Sequence, residues 1–141
     1  MRNKLVYIFL SILAVTTIIT SCQNEISLNS KRYYVNGKSI YEKNCQSCHG
    51  ADGKGLGTLY PPLTDTSYLK LNRSRLACLI KNGQQGEIII NNISYDGAMP
   101  GNENLADIDI AQVIVYITNS FGNKQGFYDA ETATNDLNNC K

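Results

Sequence analysis

The chain has 141 residues, 13 Lys and Arg against 12 Asp and Glu, five Cys, one His and two Met, one of them the initiator. Beyond an apolar start, that length holds one small domain. A near-balanced charge with no basic stripe interleaved with aromatics argues against a nucleic-acid binder. With one His and one internal Met, there is no choice over which residues supply an imidazole or a thioether.

Residues 1–21 read as an export signal: Arg2 and Lys4 make a positive start, and Leu5 to Ile19 is mostly apolar, which suits a signal core. That run is short for a membrane span, which needs roughly 20 apolar residues. Ile19-Thr20-Ser21-Cys22 resembles a bacterial lipoprotein box, which makes Cys22 the lipidated residue. Its alternatives are a signal cut elsewhere, with Cys22 an ordinary thiol, or an uncleaved anchor. Several acyl chains at one residue would anchor stably where one would be marginal. Residues 22–35 are polar (Asn29, Ser30, Lys31, Arg32) with no apolar period, so they read as a tether, with order beginning near Asn36.

The first predicted helix covers Gly37 to about Cys48. It ends in Cys45-Gln46-Ser47-Cys48-His49, the C-x-x-C-H pattern of covalent haem attachment. At i, i+3 and i+4 the two thiols and the imidazole project from one helical face. The thiols can then add to two vinyl groups of a flat porphyrin while His49 reaches the iron. A zinc site would need a second His or a second, nearby Cys pair, and a thioredoxin-like redox pair would follow a strand in a βαβ pattern. The chain has neither.

A second helix is predicted from about Ser74 to Asn82, with Gly83 as its C-cap. Leu76, Leu79 and Ile80 share one face, and Cys78 lies on the other. In an oxidising compartment the remaining cysteines, Cys78 and Cys140, are candidates for a disulfide. Two free thiols, or a bond between chains, stay open. Ile88-Ile89-Ile90 and Ile93-Ser94-Tyr95 flank Asn91-Asn92, the pattern of a short hairpin. It would deliver Gly97-Ala98-Met99-Pro100 to a fixed place. Met99 reads either as the second iron ligand or as core filler. The third helix runs from about Asp107 to Ser120, with Ile110, Val113, Ile114 and Ile117 at helical spacing. Its acidic start complements the helix dipole. The polar residues 123–141 read as an irregular tail.

Together these motifs resemble a class I cytochrome c over about Gly37 to Gly122. Gly37 and Tyr41 match the first-helix pattern of that family, Cys45 to Gly50 its haem motif, and Asp52-Gly53-Lys54-Gly55 the glycine-rich turn that follows. Pro61-Pro62-Leu63 match its proline loop, Met99-Pro100 its distal ligand, and Val113 and Tyr116 its last-helix crossing positions. The resemblance implies a small all-α fold wrapped around one covalently attached haem c, with a hairpin before the Met loop and the domain at 36–122. It implies Cys45 and Cys48 as thioether positions, His49 and Met99 as axial ligands, and a Pro61 carbonyl that accepts the His49 Nδ1 proton. The alternative for Pro61 is a plain turn. Gly37, lacking a Cβ, would let the last helix approach. Tyr60, Leu63, Leu76, Ile80 and Tyr95 are candidates for the haem wall, or for ordinary core. Two departures are Ala106, where relatives place a Ser or Thr N-cap so that Asp107 would cap instead, and Asn91-Asn92 in place of Asn-Gly.

The implied function is one-electron transfer rather than catalysis. The protein would be a lipid-anchored carrier facing the periplasm, serving respiratory redox partners, with no nucleic acid and no small-molecule substrate. The alternatives are a haem subunit held in an oxidase or dehydrogenase complex, or a haem peroxidase or gas sensor. From Lys31 to Lys81 nine basic residues face three acidic, and from Asn82 onward two basic face eight acidic. Such a dipole would steer encounters.

Overall fold

The computed structural model describes Lys4, Val6, Tyr7 and residues 28–140. Cys22, the lipoprotein box and the signal core therefore lie outside the described residues. The chain divides into two compact units, Met1–Arg32 and Tyr33–Lys141. In the first, the described residues are helical.

In the second unit, helix α1 covers 33–44 and breaks by one turn residue at Cys45 before the short helix α2, Gln46–His49. Order begins before the expected Asn36: residues 28–35 are helical. Tyr33 and Tyr34 pay the ordering cost by packing, their rings 4.9 Å from Phe127 and 5.2 Å from Tyr116. Tyr41 is fully buried against Tyr116 and Phe121.

Helix α3, Thr66–Leu71, has no counterpart among the predicted elements. Its N-cap is Asp65, whose carboxylate accepts the Tyr68 N–H at 3.0 Å, and Leu69 anchors it in the core. A 3₁₀ turn, Arg73–Arg75, leads into α4, Leu76–Asn82, which closes on Gly83 at a φ of 83° as expected for a C-cap glycine.

Four short strands follow in two antiparallel pairs. Strands β2 (Ile88–Ile90) and β3 (Ile93–Tyr95) form the predicted hairpin. Asn91 and Asn92 hold φ values of 51° and 60°, the left-handed pair that a two-residue turn needs. Strand β1 (Gly83–Gln84) pairs with β4 (Met99–Pro100), setting Gln84 opposite Met99. The Met segment is thereby tied by its backbone to the end of α4.

Helix α5, Asp107–Ile117, is buried on nearly every side: Ile110 to Ile117 are all inaccessible or close to it. Its N-cap is Ala106, and Asp107 does not cap. Instead the Asp109 carboxylate accepts the Ala106 N–H at 3.2 Å. Gly37 permits the crossing with α1, since a Cβ there would lie 1.9 Å from the Gln112 carbonyl oxygen.

The expected irregular C-terminal tail is also corrected. Residues Ala130–Asn138 form helix α6, capped by Asp129, whose carboxylate accepts the Thr132 N–H at 2.8 Å. Ala133 is buried, Tyr128 donates to Asp136 at 2.6 Å, and Cys140 is bonded to Cys78 of α4. This short, mostly polar helix takes its order from a cap, a covalent tie and packing on α4 and α5, none of which shows as periodicity.

Candidate haem site

The turn after α1 places three reactive side chains on one wall. Cys45, Cys48 and His49 all line a single apolar cleft, whose space including its open mouth is about 1050 Å³. The wall residues expected from sequence, Tyr60, Leu63, Leu76, Ile80 and Tyr95, line it as well. So do Tyr68, Leu69, Leu79, Ile88 and Ile90, which sequence reading missed. Their common signal is position: Leu79 continues the Leu76/Ile80 face, and Ile88 and Ile90 alternate inward along the hairpin.

The peptide after the motif folds back on it. Gly55 N–H donates to the His49 carbonyl at 2.9 Å, and Leu56 N–H donates to Tyr60 at 3.0 Å. The Tyr41 hydroxyl donates to the Gly50 carbonyl at 2.6 Å. Burial pushes that phenol well above its ordinary range, so it stays a donor. These contacts bring the Pro61 carbonyl 3.0 Å from His49 Nδ1. A carbonyl can only accept, so Nδ1 carries the proton and Nε2 keeps its lone pair. Burial lowers the His49 pKa against the opposing effect of this hydrogen bond, a shift that favours the neutral ring.

Cys45 and Cys48 are not joined to each other, and both are half-buried. Burial, then the neighbouring Cys48, pushes the Cys45 thiol up to about 11. A dithiol active in disulfide exchange has a depressed pKa instead.

Met99, which lines the same cleft, is strapped between β1 and the loop after it. Asn102 N–H donates to the Ile80 carbonyl at 2.9 Å, and the Lys81 ammonium donates to the Glu103 and Leu105 carbonyls at 2.8 Å each. Five residues marked by the sequence (Cys45, Cys48, His49, Pro61 and Met99) thus meet at one cleft. Cys78 and Cys140 do not line it. They form a disulfide between α4 and the end of α6, with Cα atoms 5.6 Å apart.

A flat apolar macrocycle with two vinyl groups and an iron fits this wall, because the lining is apolar and its few reactive groups are thiols, one imidazole and one thioether. Helices wrapped on such a cleft, with C-x-x-C-H at its edge, define a c-type cytochrome domain. Comparison with known proteins agrees. Residues 34–117 match the family described as cytochrome c oxidase, cbb3-type, subunit III. A cytochrome c-552 of Thermus thermophilus is 30% identical over 90 residues, 61% of this chain and 68% of that one. A second Thermus cytochrome c-552 has the same identity, with 60% of its length spanned. The cytochrome c subunit of a quinone alcohol dehydrogenase from Gluconacetobacter polyoxogenes is 34% identical over 93 residues, 64% of this chain but only 19% of that subunit. The chain belongs to this monohaem cytochrome c family. Its cofactor is covalently bound haem c and its activity is electron transfer.

Proposed function

We propose that Cys45 and Cys48 carry the haem as two thioethers, and that His49 and Met99 are the axial ligands of its iron. The observation that carries this is the Pro61–His49 hydrogen bond, which leaves Nε2 unpaired in the wall of a cleft that Met99 also lines. Bound there, the haem supplies one iron that takes up and gives back a single electron. The protein's part is to hold its ligands fixed. A thioether donor raises the reduction potential, and two permanent ligands leave no position for a substrate. Apolar walls exclude water, and the β1–β4 strap keeps Met99 from swinging away.

The finer reading is a lipid-tethered carrier. Export, lipidation at Cys22 and a polar linker starting there would hold the domain at the periplasmic face of a membrane. From there it would pass electrons between respiratory-chain components. A second reading is a subunit held in a larger oxidase or dehydrogenase complex, favoured by the family description and by the dehydrogenase relative. Purification from the native membrane separates the two, since a complex subunit co-purifies with partners in equal amount.

The test of the ligand assignment is an absorption spectrum of the oxidised protein beside Met99→Ala. The expected result is loss of the weak far-red sulfur-to-iron band, with haem still covalently attached, and a fall in reduction potential. An unchanged band overturns Met99. Fatty-acid labelling that persists in Cys22→Ala overturns the tether.

A further inference from the structure

Asn123 lies just past α5, far from the cysteines in sequence, and only 2% of its surface is exposed. Its amide nitrogen donates to the Leu63 carbonyl at 2.8 Å and to the Ile117 carbonyl at 2.9 Å. Its Oδ1 accepts the Thr66 hydroxyl at 2.6 Å. One side chain therefore ties the end of α5, the start of α3 and the proline loop together. Both donors and the acceptor of this amide are used within the protein.

Leu63 stands two residues after Pro61, whose carbonyl holds the His49 ring. Its own N–H donates to the Gly53 carbonyl at 2.7 Å. The peptide groups on both sides of Leu63 are thus fixed, one by the turn that follows the haem motif and the other by Asn123. Between the Pro61 and Leu63 carbonyls lies Pro62, whose φ is locked by its ring, which leaves fewer torsions to absorb a shift of the Leu63 carbonyl before it reaches that of Pro61. Phe121, two residues before Asn123, holds a φ of 57°, a left-handed value uncommon for a bulky side chain. Its ring packs on Gly53 so closely that a Cβ there would lie 2.5 Å from it. The turn after α5 thus accepts a strained residue and presses on both ends of one loop, the loop that orients His49.

We infer that Asn123 is a positioning residue for the axial histidine: by holding the Leu63 carbonyl it fixes the Pro61 carbonyl against His49 Nδ1, and so tunes the donor strength of His49 and the reduction potential of the haem. This rests on His49 being an axial ligand. A firm Nδ1–H···O=C bond makes the imidazole a stronger donor, and a stronger donor favours the ferric state. Loosening it raises the potential.

A neighbour supplies a matched control. Asn119 also donates twice from its amide, to the Val115 carbonyl at 2.9 Å and the Gly126 carbonyl at 2.8 Å, and accepts the Gly126 N–H at 2.9 Å. It braces the same region without touching the proline loop. A purely structural role for Asn123 would make Asn119→Ala and Asn123→Ala behave alike.

The experiment uses the full-length, haem-loaded protein, measuring reduction potential by redox titration and exchange of the His49 Nδ1 proton by NMR. In Asn123→Ala the potential rises and the proton exchanges roughly tenfold faster, the worth of one net hydrogen bond. Thr66→Val, which removes only the bond to Oδ1, moves both the same way by less. Asn119→Ala lowers the melting temperature and leaves both at wild-type values. Potential and exchange unchanged in Asn123→Ala, or moved no further than in Asn119→Ala, overturn the inference. If Asn123→Ala does not accumulate, Thr66→Val against Asn119→Ala decides alone. The wild-type spectrum separates the two levels of failure. His49 ring protons undisplaced by a bound iron sink the ligand assignment itself, whereas displaced protons with indifferent variants sink only the role of Asn123.

Discussion

At the scale of single residues, the polar groups that matter here act on backbone. Tyr41 donates to Gly50, Asp65 caps α3, and Asp129 caps α6. Asp129 gives a pH-dependent prediction. Hydrogen bonding from the Thr132 side chain, then from its backbone N–H, holds the Asp129 carboxyl below the ordinary aspartate range. A depressed folded pKa means stabilisation that is complete above the unfolded value, near 3.9, and lost as pH falls through the folded one. Asp129→Ala should therefore cost about 1 kcal/mol at neutral pH. The gap between variant and wild type should close in acid. Thermal melts at several pH values check this, and a constant gap refutes it.

At the scale of elements, the crossing of α1 and α5 decides whether the cleft exists, since α1 leads into the cysteines and α5 contributes Val113 and Ile117 to the wall. Gly37→Ala sets two effects against each other. Alanine favours the helix by about 1 kcal/mol over glycine. However, its Cβ would lie 1.9 Å from the Gln112 carbonyl, and overpacking of that kind costs typically 1–3 kcal/mol, occasionally more. We expect a net loss of about 2 kcal/mol, read as a lower denaturation midpoint. A stabilised variant would mean the helices separate freely.

The elements also show what was legible. Helices α4 and α5 and the hairpin declare themselves through apolar period and turn residues, because each buries a continuous face. Helices α3 and α6 and the start of α1 do not. Leu69 and Ala133 are the only buried residues of α3 and α6, and one contact makes no period. In the site, Cys45, Cys48, His49 and Met99 were visible by residue type. Asn123 was not, because its partners Leu63 and Ile117 lie 60 and 6 residues away.

At the scale of the whole molecule, the Cys78–Cys140 bond joins residues 62 apart. In the chain-entropy account a loop of that size contributes about 4 kcal/mol. Reduction, or Cys140→Ser, should lower the denaturation midpoint accordingly while haem stays attached, because neither cysteine lines the cleft. A changed haem absorption spectrum in Cys140→Ser would tie α6 to the site instead. The charge division, nine basic to three acidic over Lys31–Lys81 and two to eight thereafter, acts over the same scale. Electron exchange with an acidic partner should slow steeply as ionic strength rises and the Debye length shrinks. A flat profile removes steering from the account.

By itself the sequence determined the chemistry: one imidazole, one internal thioether and a thiol pair at helical spacing, which could serve a haem and little else. It also determined those elements whose burial repeats along the chain. Only the tertiary structure decided between a Pro61 carbonyl that holds His49 and a plain proline turn, that the tail folds back as a helix, and that a buried amide beyond α5 braces the proline loop. Those are single contacts between residues distant in sequence. Such contacts leave no local pattern, because what selects them is the closure of the whole core.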